Sequence, residues 1–170
     1  ALAAATAAIL NNIDSHTIKT ALQSFKGVVR RFDIIVKNEN IIYIDDYAHH
    51  PGEIRAFIDA VKQIFPTKKI TAVFQPHLFS RTKDFYNDFA KSLSVVDDLI
   101  LLPIYPAREK PIEGINTELI FKLVESNSKY LCEKNELIPL LKSIKPELIV
   151  TMGAGDIDQL VQPIRKEFER

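Results

Sequence analysis

The spacing of apolar residues changes along the chain, and each change marks an element. Ala1–Leu10 is almost wholly apolar and reads as a helix broken at Asn11-Asn12. A second short helix follows, with Asp14 or Ser15 as N-cap and Ile18, Ala21, Leu22 and Phe25 along one face. Lys26-Gly27 ends it, the glycine standing where a helix often leaves the right-handed region. Phe32–Val36 and Ile41–Ile44 are β-rich runs, and Lys37-Asn38-Glu39-Asn40 between them reads as a hairpin turn. The break in pattern near Phe25–Val28 divides the chain into a helical segment, residues 1–26, and a larger unit, residues 27–170.

Beyond the hairpin, strand and helix patterns alternate. Pro51 stands at a helix start, and Ile54, Phe57, Ile58, Val61, Ile64 and Phe65 repeat with helical period until Pro66. Ile70–Phe74 is a buried type of strand, Thr82–Leu93 a helix, and Leu99–Leu102 a strand. Tyr105–Ile115 has no apolar period and reads as an ordered loop. Asn116 caps a helix carrying Leu119, Ile120, Leu123 and Val124. Lys129–Cys132, Leu137–Ile144 and Leu148–Met152 read as strand, helix and strand, and Ile157, Leu160, Val161, Ile164 and Phe168 mark the last helix. This alternation predicts an α/β fold: a Rossmann-like, doubly wound, mostly parallel sheet with a preceding hairpin.

Composition narrows the function. Lys+Arg and Asp+Glu both number 22, giving a net charge of zero. That balance argues against a nucleic-acid module and against a polybasic membrane surface. The Ala1–Leu10 run is too short to span a bilayer and lacks the basic start and cleavage site of a signal peptide. One cysteine, Cys132, excludes an internal disulfide and a cysteine-based zinc cluster; it reads as a small core residue. A chain that starts inside an Ala-rich helix is expected to be a piece of something longer.

In doubly wound folds, ligands bind at the carboxyl ends of the strands. Four predicted strands end in chemically unusual segments: Asp45–Pro51, Gln75–Thr82, Pro103–Lys110 and Gly153–Asp156. Three of the four histidines, His49, His50 and His77, fall on this rim. Each feature has a second reading. Asp45, Asp46, His49 and His50 suit a metal ion, or a helix cap with solvent-facing rings. Gly153–Asp156 suits an anion at a helix N-terminus, or a tight turn with Asp156 as cap; it lacks the full dinucleotide glycine spacing. Arg30-Arg31 is either a solvated pair or aims one guanidinium at a phosphate. Arg81 at a helix start opposes the helix dipole, which favours an anionic partner.

Five segments together carry a resemblance: Phe25–Phe32, Asp45–Pro51 with Glu53, Phe74–Thr82, Tyr105–Pro111 and Thr151–Ile157. They resemble the C-terminal domain of the Mur ligase family, and within it the branch that adds L-alanine. Residues 1–26 resemble the closing helices of the family's central ATPase domain. The resemblance implies a bacterial cytoplasmic enzyme of peptidoglycan synthesis, and so of cell shape and division. It implies that ATP phosphorylates the carboxylate of UDP-N-acetylmuramic acid, and that the amine of L-alanine then displaces phosphate. No Gly-x-x-x-x-Gly-Lys-Ser/Thr occurs in the chain. ATP and Mg2+ are therefore expected mainly on a central domain in cis, alongside an N-terminal domain for the sugar nucleotide, with no metal held by this chain and no activity from it alone.

Residue by residue, the resemblance puts Arg31 near the ATP phosphates and Asp46 on the adenosine ribose. It puts Tyr47, His49, His77 and Arg81 around the alanine, with His49, His77 and Arg81 as catalytic candidates. Arg81 suits the alanine carboxylate, and a neutral imidazole suits the ammonium proton. Gly153, Ala154, Gly155 and Asp156 match the loop facing the reaction centre. Leu78 departs from an arginine common in the family, which makes Arg81 more critical. Lys26-Gly27 is a plausible hinge. Two alternatives stand beside this reading: a murein peptide ligase that recycles a tripeptide, and a non-catalytic nucleotide-binding or interaction domain. The Pro76–Thr82 and Tyr105–Pro111 segments favour the alanine branch.

Overall fold

The computed structural model describes residues 1–169. Helices α1 (Leu2–Leu10) and α2 (Ser15–Ser24) come first, and neither buries a residue. Asp14 caps α2, accepting from the Thr17 amide at 2.9 Å. Strands β1 (Asp33–Lys37) and β2 (Ile42–Asp46) then form the expected antiparallel hairpin. The remainder runs α3 (Pro51–Ile64), β3 (Ile70–Phe74), α4 (Phe79–Leu93), β4 (Asp98–Leu101), α5 (Glu118–Leu123), β5 (Ser128–Leu131), α6 (Leu137–Ile144), β6 (Leu148–Met152) and α7 (Val161–Phe168). The six strands form one sheet in the order β1-β2-β6-β3-β4-β5, parallel except at the hairpin. No helix among the described residues is long and apolar enough to cross a membrane.

Both faces of the sheet are covered, as the doubly wound expectation requires. Side chains alternate along β6: Leu148, Val150 and Met152 join the cluster containing Ile54, Ile58, Phe89, Leu93 and Ile120 of α3, α4 and α5. Ile149 joins Leu137, Leu141, Val161 and Ile164 of α6 and α7 on the other face. A strand buried on both faces carries an unbroken apolar run, and this is why β3 and β6 were readable.

Strands β1, β2, β4 and β5 are shifted by one or two residues from the expected runs, and three helices differ further. Helix α4 starts at Phe79, three residues before Thr82, because Leu78 takes φ +74° and turns the chain straight from strand tip into helix. Thr117, not Asn116, precedes α5, and its hydroxyl is held by the Leu102 carbonyl at 3.0 Å. The last helical segment is split into a 3-10 turn, Asp156–Leu160, followed by α7. Ile64, placed on the apolar stripe of α3, is exposed.

Register sets the position of the rim. Asp46 lies beside Met152, Met152 beside Phe74, and Phe74 beside Leu101. Four strand tips therefore end level. Beyond them β2 passes to α3 on one face, while β6 leads to α7 on the other, so the crevice of a switch point opens between them.

A buried polar chain ties this corner together. The Arg30 Nε donates to Asp45 Oδ2 at 2.9 Å, and its Nη2 donates to the Gly153 carbonyl at 2.6 Å. The Thr151 hydroxyl donates to Asp45 Oδ1 at 2.5 Å and lies 3.0 Å from the Tyr43 hydroxyl. Burial pushes the Asp45 carboxyl above the usual carboxylate range, opposed by Thr151 and Arg30, which favour its charged form. Asp45→Ala leaves the Arg30 cation without its acid. We expect a loss of about 3 kcal/mol or more of stability, the scale for breaking a buried pair, against about 1 kcal/mol for Thr151→Val. Urea denaturation of both variants checks this; a loss for Asp45→Ala no larger than for Thr151→Val contradicts it.

Candidate active site

Four rings run along the rim. The Tyr47 ring centroid lies 5.1 Å from that of His49, His49 lies 6.1 Å from His77, and His77 stacks on Tyr105 at 5.7 Å. The β2 tip supplies the first two, the β3 tip the third and the β4 tip the fourth. At the near end, the guanidinium carbons of Arg30 and Arg31 lie 5.2 and 5.4 Å from the Tyr47 ring centroid. Arg30 is spent on Asp45 and Gly153, whereas Arg31 is exposed and forms no ion pair among the described residues. Of the two neighbouring arginines, Arg31 is the one available to an anion.

The loop after β2 is set by carboxylates of the elements at its two ends. Asp46 Oδ2 accepts from the Phe32 amide at 2.7 Å, and Oδ1 accepts from the Ala48 amide at 2.8 Å. Asp46 thus first braces the backbone. A carboxylate offers about four acceptor directions, so it retains capacity for a hydroxyl donor. Glu53 accepts from the His49 and His50 amides at 3.0 and 3.2 Å, within the capping box that starts α3. His49 Nδ1 lies 2.9 Å from the Tyr47 carbonyl. A carbonyl only accepts, so Nδ1 carries a proton, and in the neutral ring the lone pair lies on Nε2. His50 leaves the rim chemistry: its ring packs on Phe85 at 4.9 Å.

Asp45, Asp46, His49 and His50 do not gather as one ligand set. Asp45 is paired with Arg30, Asp46 with backbone amides, and His50 with Phe85. Among the described residues no group of three or more His, Cys, Asp or Glu side chains is arranged to hold a metal ion.

His77 and Arg81 are the unusual members. Among the described residues, two buried side-chain polar atoms lack a hydrogen-bond partner: His77 Nδ1 and Arg81 Nη1. An unsatisfied buried polar atom costs about 1–3 kcal/mol, so two near one rim point to an absent partner. Burial pushes the His77 imidazole below its ordinary value, the Arg81 and His49 charges push the same way, and Glu109 opposes them. Glu109 is placed by the Ser80 amide at 2.9 Å and by the Ser80 hydroxyl.

Gly153–Asp156 follows the β6 tip, between the tips of β2 and β3. Gly153 has φ +148°, and an added Cβ would sit 2.9 Å from the Gln75 carbonyl oxygen. The Asp156 carboxylate is engaged by Lys134 and by Gln75 Nε2 at 2.9 Å, so it braces the loop. The segment leads into a 3-10 turn, Asp156–Leu160, that runs on into α7. From the sequence, Arg31, Asp46, Tyr47, His49, His77 and Arg81 stand out as site residues; Arg30 stands out only as one of a pair with Arg31, Gln75 only within a strand-tip segment, and Lys134 not at all.

The family described as "Mur ligase, glutamate ligase domain" matches residues 30–155. The chain belongs to the Mur ligase family. It is 57% identical to the UDP-N-acetylmuramate–L-alanine ligase of Flavobacterium psychrophilum, over 91% of this chain and 35% of that protein. It thus spans about a third of the length of the curated relatives it matches. The crystal structure of the UDP-N-acetylmuramate-alanine ligase of Thermotoga maritima aligns with a TM-score of 0.70 at 29% identity, over 88% of this chain and 32% of that one. A murein peptide ligase from Psychrobacter arcticus aligns with a TM-score of 0.67 at 20% identity, over 89% of this chain and 32% of that one, and shares the fold.

The His77 environment makes a direct prediction for this Mur ligase domain. Its NMR titration midpoint should lie below the ordinary value of about 6.5, and Arg81→Gln should raise it by removing a cation. A depressed imidazole value means the unfolded chain binds the proton more readily. His77 therefore contributes stability that is present above about pH 6.5 and lost as the pH falls through its folded-state value. A midpoint at or above 6.5 contradicts the burial and charge argument.

Proposed function

We propose that this chain is the amino-acid-binding domain of an ATP-dependent ligase joining L-alanine to UDP-N-acetylmuramic acid. The observation that carries the reading is the pair of unpartnered buried atoms, His77 Nδ1 and Arg81 Nη1. An amino acid brings one group for each: a carboxylate for the guanidinium and an amine for the imidazole. The high identity to alanine-adding relatives across nearly the whole chain supports this substrate.

When bound, ATP supplies the phosphoryl group that activates the sugar acid's carboxylate. The exposed Arg31 guanidinium suits its phosphates, and Asp46 suits a ribose hydroxyl through its remaining lone pairs. Mg2+ and most of the ATP contacts are assigned to the upstream domains, and no step here is routed through the metal. Arg81 holds the alanine carboxylate. His77, its proton affinity lowered by burial and by Arg81, accepts a hydrogen bond from the amine and aims its lone pair. His49 presents Nε2 for the proton the amine must release before nitrogen attacks. Nitrogen then bonds to the acyl carbon, the bond to phosphate oxygen breaks, and phosphate leaves. Closing this domain on its neighbours excludes water from the activated acid and orients the amine. The apolar residues left exposed on the first two helices, Leu2, Ile9, Leu10 and Leu22, suit packing on such a neighbour.

In the full-length protein, Arg81→Gln is expected to cut kcat/KM for L-alanine at least about tenfold, or roughly 1.5–3 kcal/mol, chiefly by raising KM for alanine. Alanine-dependent ADP release measures this. Unchanged turnover favours a non-catalytic domain, and activity with a tripeptide but not alanine favours the recycling ligase. This chain alone is expected to release no ADP.

A further inference from the structure

Gln75 is buried at 1% exposure, at the point where β3 meets the rim. Both ends of its side-chain amide are engaged. Nε2 donates to Asp156 Oδ1 at 2.9 Å, and Oε1 accepts from the Ile157 amide at 2.9 Å. Its backbone amide donates to the Met152 carbonyl at 3.1 Å. One residue thus grips the β6 end and the far side of the Gly153–Asp156 loop together. Lys134, in the 3-10 turn before α6, pairs with the other Asp156 oxygen.

The grip is transmitted to the rim by close contact. A Cβ on Gly155 would lie 2.6 Å from Gln75 Oε1, and 2.6 and 2.7 Å from Tyr105 Cβ and Cγ. The bare glycine therefore wedges between the Gln75 amide and the Tyr105 ring, which also stacks on the His77 imidazole. The Tyr105 backbone is anchored on the same tip, donating to the Pro76 carbonyl at 2.8 Å and accepting from the Leu78 amide at 2.9 Å. From Lys134 through Asp156, Gln75, Gly155 and Tyr105, a line of contacts ends on the imidazole that lacks a partner.

We propose that Gln75 is a positioning residue for the amino-acid site: it clamps the Gly153–Asp156 loop and, through Gly155 and Tyr105, sets the orientation of His77. The proposal rests on the functional reading above. Gln75 needs to be an amide because it must donate to one neighbour and accept from another. Gln75→Glu keeps the acceptor for Ile157 but turns the donor into a carboxylate facing Asp156. The charged and titratable groups around this point are Asp156, Lys134, Glu133, the Tyr105 phenol and the His77 ring. Lys134 neutralises one acid and not two, so the introduced carboxyl is held protonated at low pH. There its O–H replaces the lost N–H donor.

The test uses the full-length protein. For Gln75→Glu, kcat/KM for L-alanine is expected to fall at least about tenfold at pH 8. The ratio to the unsubstituted protein should recover several-fold by pH 6, with KM for the sugar nucleotide within twofold throughout. A purely structural role predicts a lower melting temperature and unchanged constants in the folded protein at every pH; that result overturns the proposal. Lys134→Met changes a partly exposed partner and serves if Gln75→Glu does not fold. It is expected to lower kcat/KM for L-alanine about threefold or more, and unchanged constants overturn the proposal. If the unsubstituted protein shows no alanine-dependent ADP release, the functional reading itself fails and this inference falls with it.

Discussion

The Arg30–Asp45 pair governs how the hairpin meets the parallel sheet. Arg30 joins segments far apart in sequence: the approach to β1, the acid near the end of β2, and the loop after β6. The backbone at Arg30 and Phe32 turns through positive φ, 61° and 50°, to make this possible. Burying two charges costs desolvation that their attraction only partly returns. The value of the pair lies in placement. With Arg30 drawn inward, Arg31 remains outside beside Tyr47, and the loops after β2 and β6 are held at one level.

A contrast follows between a braced interior and an open front. Asp45, Asp46, Gln75, Asp156 and Thr151 have their polar atoms matched by neighbours. His77 Nδ1 and Arg81 Nη1 do not. Leu78 between them sits at φ +74°, a conformation costly for a side chain with a Cβ. Costs of this kind collect where a protein prepares for a partner. Backbone hydrogen bonds from Tyr105 to Pro76 and from Leu78 to Tyr105 fix the segment that carries both groups, an arrangement suited to orienting a small amino acid.

Much of this was legible in the sequence, for identifiable reasons. Strands β3 and β6 and helix α6 fall where their apolar runs place them, because buried strands and a strongly one-sided helix leave little ambiguity. The start of α4 was hidden because Leu78 is no conventional cap; its backbone angle, not its chemistry, begins the helix. The rim was found from the rule that ligands sit at strand ends. The inward turn of Arg30 was not, because positive φ on both sides of Arg31 breaks the alternation that tells inner from outer positions. The work of Gln75 depends on residues about eighty positions away, which no local pattern encodes.

The central claim is that the unpartnered nitrogen of His77 and the cation of Arg81 receive the amino acid. It is tested most directly by NMR of the full-length protein with 15N-labelled histidine, titrated with L-alanine in the presence of a non-hydrolysable ATP analogue. The account predicts that the His77 Nδ1 signal shifts as alanine saturates the protein. Alanine bound by calorimetry with the His77 signal unmoved would contradict it.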